Sequence, residues 1–72
     1  MSGFSFDPVA LRRIRTDRGV SQKKLGAATG TSRVLISHYE NGHYRPSIAT
    51  LAAIAHALDV PMDDFIKAEV AT

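Results

Sequence analysis

Apolar positions recur along this chain at helical spacing, and each run is bounded by capping residues. Leu11 and Ile14 stand three apart behind Asp7-Pro8, a cap residue followed by a proline at the first helical position. There the missing N–H and the fixed φ of proline suit a helix start. Phe6 before the cap and Leu11 four positions inside the helix have the spacing of a hydrophobic staple. This predicts a first helix over 8–18, ended at Arg18-Gly19. Ser21 caps a second over 22–29, stopped by Gly30, and Ser32 caps a third over 33–41, stopped by Gly42. After the turn Arg45-Pro46-Ser47, Ser47 caps a fourth over 48–58. Its apolar stripe, Ile48, Leu51, Ile54, Ala55 and Leu58, has the spacing of a buried face. Asp59-Val60-Pro61 breaks that helix, and a fifth is expected over 62–68 with Phe65 turned inward. No stretch alternates convincingly as a strand, and there is no internal repeat. The expectation is an all-α domain of five helices occupying residues 1–72.

Length and composition narrow the class. Seventy-two residues make one domain with a small core. With 44% hydrophobic and 22% charged residues, the chain is not a disordered tail. It has no cysteine, hence no disulfide and no thiolate metal site. No apolar run approaches the ~20 residues of a membrane span. The opening MSGFSF lacks the basic and apolar segments of a signal peptide. A soluble cytoplasmic domain is expected, with no membrane partner, no cofactor and no visible small-molecule effector.

Charge adds direction. Residues 1–58 hold eight bases and three acids, a net +5, while residues 59–72 hold Lys67 against four acids, a net −3. A basic body with an acidic end suits a surface facing a polyanion. It is equally compatible with a solvated mixed-charge surface. His38, His43 and His56 lie five and thirteen residues apart, which is not a metal-ligand pattern on one helix, and no metal is expected. Serine, histidine and aspartate are present without a strand–loop scaffold to align them, so no catalytic residues and no enzyme activity are expected.

The connection Gly30-Thr31-Ser32 forces the second and third helices into a sharp crossing, the geometry of a helix-turn-helix. Gly26 costs about 1 kcal/mol relative to alanine in mid-helix. Close approach of the two helices explains it, and Gly30 supplies the positive φ that the turn requires. Leu25, Ile36 and Tyr39 are the apolar contacts between them.

The segment VSQKKLGAATGTSRVLISHYENGHYRPS resembles the lambda-repressor-like helix-turn-helix proteins, the Xre/Cro family. Ser21, Gln22, Leu25, Gly26, Gly30, Ser32, Ile36, Tyr39, Glu40, Asn41, Gly42, Pro46 and Ser47 match the family pattern, and the likeness runs from about Leu11 to Ile66. Thr29 and Thr31 depart from it, standing where larger aliphatics are usual. So does Asp59, where glycine is common. Lys23 and Lys24 replace acids at a helix N-terminus, whose positive end disfavours cations by ~0.3–1 kcal/mol each. A phosphate beyond that terminus resolves the conflict.

The resemblance implies sequence-specific binding of double-stranded DNA by a transcriptional regulator acting as a homodimer on a palindromic operator. The third helix then enters the major groove. Arg33 suits guanine O6 and N7, Val34 a thymine methyl, and Ser32, Ser37 and His38 reach bases or phosphate. Gln22, Lys23, Lys24, Asn41, His43, Tyr44 and Arg45 are the expected backbone contacts. Arg15 and Glu40 are expected to form a partly buried ion pair tying the first helix to the third. Val60, Met62, Ile66 and Val70 are the expected dimer surface. Taken singly, Arg33 is an arginine on a solvated face, Val34 a satellite of the core, Tyr44 a turn residue packed on the fourth helix, and the C-terminal apolar residues a closure of the core. The alternative function is a protein-interaction adaptor or antitoxin on the same fold. An adaptor has no need of Arg33, Lys23, Lys24 and Arg45 along one side.

Overall fold

Four side-chain caps start four α-helices. In the computed structural model, which describes the backbone of residues 2–70 and the side chains of residues 4–68, these are α1 Pro8–Asp17, α2 Gln22–Ala28, α3 Arg33–Glu40 and α4 Ile48–Leu58. Asp7 accepts from the amides of Val9 and Ala10. Ser21 accepts from Lys24, Ser32 from Leu35 and Ser47 from Thr50. Each cap satisfies amides that the helix itself cannot, and losing one costs ~0.5–2 kcal/mol.

The fifth helix does not form. Met62–Phe65 is a single 3₁₀ turn, and Ile66–Val70 is a strand, β2, paired antiparallel with β1, Ser2–Phe6. The register places Phe6 opposite Ile66, Ser5 opposite Lys67 and Phe4 opposite Ala68. The fold is therefore four α-helices with a two-stranded ribbon, not an all-α five-helix domain. The physical reason is visible in hindsight: Phe4 and Phe6 alternate with Ser5, and Ile66 and Ala68 alternate with Lys67, a period of two. Each run is five residues long and supplies no edge for itself. Only the meeting of the chain's two ends makes it a strand. The backbone amide of Asp7 donates to the carbonyl of Phe65 at 2.7 Å, joining the ribbon's base to the first helix cap.

The core lies between the helices. Leu11 and Ile14 from α1, Leu25 from α2, Ile36 and Tyr39 from α3, Leu51, Ile54 and Leu58 from α4, and Phe65 are buried in one cluster. Ile48 is not part of it. It is 80% exposed, because the first turn of α4 projects beyond the core although its spacing fits the stripe. Asp59 ends α4 with φ 58, in the left-handed region. Aspartate enters that region at less cost than most residues, and glycine at still less. Among the described residues, no helix is long and apolar enough to cross a membrane.

Candidate nucleic-acid interface

The pair α2–α3 is held at close range by the absence of a side chain. A Cβ on Gly26 would lie 2.7 Å from the carbonyl carbon of Ser32 and 3.0 Å from the amide nitrogen of Arg33. The connection runs over Thr29–Ser32, one residue longer than the spacing suggested, because Thr29 caps α2 rather than continuing it. Gly30 has φ +69. Thr29 and Thr31 hold this turn by hydrogen bonding rather than by apolar packing. The Thr29 hydroxyl donates to the Leu25 carbonyl at 2.8 Å and lies 2.9 Å from the Thr31 hydroxyl. The Thr31 amide donates to the Gly26 carbonyl at 2.9 Å.

Behind the pair, Arg15 and Glu40 are both buried and form an ion pair. The Arg15 Nε and Nη2 donate to the two carboxylate oxygens of Glu40, the latter at 3.1 Å. Nη1 donates to the Val20 carbonyl at 2.8 Å, and Gln22 Nε2 donates to Glu40 Oε1 at 3.0 Å. One carboxylate thus joins α1, α2 and α3, and its charge is neutralised inside the fold. Gln22 serves this core pair as well as the outer surface. One amide hydrogen is committed to Glu40, while the side chain still borders the outer surface.

That outer surface is the exposed side of α3. Gln22, Arg33, Val34, Ser37 and His38 line a shallow cleft of about 210 Å³. Arg33 is exposed and Val34 is 59% exposed, so Val34 is no core satellite. Ser32 is exposed, and its oxygen already accepts from the Leu35 amide. Lys23 and Lys24 are exposed on the first turn of α2, which carries no acid. Among the described residues, Arg15–Glu40 is the only ion pair, so Lys23, Lys24, Arg33 and Arg45 stand without a carboxylate partner.

The α3–α4 loop continues this surface with contacts that spacing does not reveal. His38 Nδ1 lies 3.2 Å from His43 Nδ1, so one ring donates and the other accepts. The Tyr44 ring meets His38 edge-on, with centroids 5.0 Å apart. Tyr44 is 57% exposed and extends the α3 surface. Asn41 turns its amide back onto the Ser37 carbonyl at 2.9 Å, and so braces α3.

The expected dimer residues are less available. Val60, Met62 and Ile66 are half-buried against the core, and the side chain of Val70 lies outside the described residues. A large apolar side chain exposed nearby is not among the expected dimer residues. Phe4, 81% exposed, borders a cleft of about 440 Å³ with Asp63, Ile66 and Ala68. Its signal was the alternation of Phe4 and Phe6. Among the described residues, no three His, Cys, Asp or Glu side chains gather as metal ligands.

The helix-turn-helix family model HTH_3 matches residues 11–65. Over 62 residues the chain is 38% identical to the HTH-type transcriptional regulator SutR of Escherichia coli (strain K12). That match covers 86% of this chain and 35% of SutR, so the chain spans about a third of that relative. The fold is similar to the P22 c2 repressor solved in complex with synthetic operator 9T, with a TM-score of 0.76 and 29% identity over 82% of this chain and 89% of that one. It is also similar to the restriction-modification controller protein C.AhdI from Aeromonas hydrophila, with a TM-score of 0.77 and 29% identity over 81% and 88% of the two chains.

Proposed function

Since this chain belongs to the HTH_3 helix-turn-helix family, we propose that it is a sequence-specific double-stranded DNA-binding transcriptional regulator, with α2 and α3 as its helix-turn-helix. The observation that carries this reading is the division of α3. Its inner side, Ile36, Tyr39 and Glu40, is buried and tied to α1 and α2, while Arg33 and Val34 stand exposed beside cations with no carboxylate partner. A helix locked on one side and cationic on the other is built to present side chains to a polyanion. SutR, a transcriptional regulator, and the P22 c2 repressor, solved on an operator, support the same reading.

In the major groove Arg33 donates to guanine, Val34 meets a thymine methyl, and Ser32, Ser37 and His38 reach adjoining base edges. Lys23 and Lys24, with the N-terminus of α2, hold one backbone phosphate. Gln22 and the loop residues Asn41, His43, Tyr44 and Arg45 hold the neighbouring phosphates. Arg33→Ala lowers affinity for the preferred duplex by ~1–3 kcal/mol, about 5–150-fold, and relaxes one base position in a selection from random duplexes. An unchanged selected consensus removes Arg33 from base readout. If the wild type binds no duplex at either of two salt concentrations, the DNA reading itself fails and the adaptor reading replaces it.

The chain acts as a homodimer on a palindromic operator, because one module of this size covers half a site. The C-terminal segment with Val60, Met62, Ile66 and Val70 forms the dimer surface. Sedimentation of the complex should give two chains per palindromic duplex. A ratio of one on a full site means that the protein works as a monomer. The site of action in this reading is the cytoplasm.

A further inference from the structure

A third cleft, of about 200 Å³, opens where the ribbon meets the α3–α4 loop, and its lining includes Ser5, Tyr44, Arg45 and Lys67. We propose that it is a separate phosphate seat, in which Lys67, Arg45 and the Ser5 hydroxyl hold a backbone phosphate of the bound duplex. This rests on the DNA-binding reading and adds the ribbon to the interface.

Three observations converge here. First, two cations from distant parts of the chain share one cleft, and the described residues that line it include no carboxylate. Like charges in one depression repel each other, and an anion between them reverses the sign. Lys67 is the one base after residue 58, in a segment otherwise acidic. Phe4, Ile66, Ala68 and Asp63 border a different cleft, while Ser5 and Lys67 border this one. Second, the Ser5 hydroxyl oxygen is buried without a hydrogen-bond partner. Buried hydroxyls are nearly always paired, and an orphan one beside two cations is a donor waiting for an acceptor. Ser5 stands directly opposite Lys67 in the register, so both side chains leave the ribbon on one face. Third, the cleft continues the α3 surface. Tyr44 meets His38, which lines the α3 cleft with Arg33, and Tyr44 and Arg45 line this one. A backbone that follows α3 past the loop next meets Lys67.

The test is the salt dependence of duplex binding by the full chain, for the wild type, Lys67→Gln, Lys67→Arg and Ser5→Ala, with folding checked by thermal melts. Losing one phosphate contact lowers the slope of log K against log salt by about 0.9. Raising salt from 50 to 200 mM should therefore cost the wild type about 3.5-fold more affinity than Lys67→Gln. Lys67→Arg keeps the wild-type slope. Ser5→Ala weakens binding with the slope unchanged, since a hydroxyl carries no charge. The selected base consensus is the same for all four. A wild type that binds duplex, with Lys67→Gln identical to it in slope and affinity, overturns the seat and leaves the DNA reading standing. A wild type that binds no duplex overturns both. Inorganic phosphate alone, titrated against backbone amide signals near Lys67, distinguishes a free-anion site. Saturable binding there, with an unchanged Lys67→Gln slope on duplex, overturns the assignment to DNA.

Discussion

Glu40→Ala should bring this domain close to unfolding at physiological temperature. The substitution removes both carboxylate bonds of Arg15, a residue only 9% exposed in the intact protein. Breaking a buried pair from one side costs ~3–5 kcal/mol, because the remaining charge stays desolvated. A chain of this size has stability near the lower end of the ~5–15 kcal/mol range of folded proteins. Arg15→Ala strands Glu40 instead; Gln22 still donates to it, just as Arg15 still donates to Val20 in the other variant, so the two costs should be similar. The double change to alanine should cost less than the two singles together, since neither charge is then left alone. Denaturant melts of the four proteins measure that coupling directly. A coupling near zero means that the pair contributes nothing through its contact, and that Glu40 is held by Gln22 and packing alone. Duplex binding by the folded fraction should fall in both single variants, because this carboxylate ties the exposed helix α3 to α1 and α2.

Gly26→Ala carries the second large effect, and its sign is the informative part. By helix propensity alone the change stabilises α2 by about 1 kcal/mol. The added Cβ, however, meets the Ser32 carbonyl carbon at 2.7 Å, about 0.7 Å short of the 3.4 Å of ordinary contact. The atoms in its way are backbone and cannot swing aside as a side chain would. Forcing that separation costs ~1–3 kcal/mol of overpacking, which outweighs the propensity gain. The strain falls on Ser32 and Arg33, the cap and first residue of α3. Lower melting temperature and weaker duplex binding are therefore expected together. A more stable Gly26→Ala protein with unchanged binding would show that α2 and α3 are farther apart than described.

Much of the fold was legible because its signals are local. Asp7-Pro8, Ser21, Ser32 and Ser47 each act on amides within three residues, so four helix starts follow from short windows of sequence. Gly30 and Gly42 likewise mark local stops with positive φ. Gly26 pointed to a close crossing because a glycine inside a helix otherwise has a cost without a return. The exposed residues of α3 were nameable from the resemblance together with the inward positions of Ile36 and Tyr39. The Arg15–Glu40 pair, 25 residues apart, came from resemblance alone.

The ribbon was misread for the opposite reason. Phe4 pairs with Ala68 across almost the whole chain, and neither five-residue run has a helix's internal hydrogen bonds to announce it. After Pro61, an apolar residue every few positions reads as one more helix turn until β1 supplies the partner. The same non-locality moved Lys67 from an acidic tail to a cationic cleft. It also left Ile48 in solvent, since periodicity says which side of a helix is apolar but not how far the core extends along it. Caps, stops and helical faces are energies of neighbouring residues and are written in the order of the chain. The ribbon and the cleft beneath it exist only after distant segments have met, and chain closure in three dimensions decides where they meet.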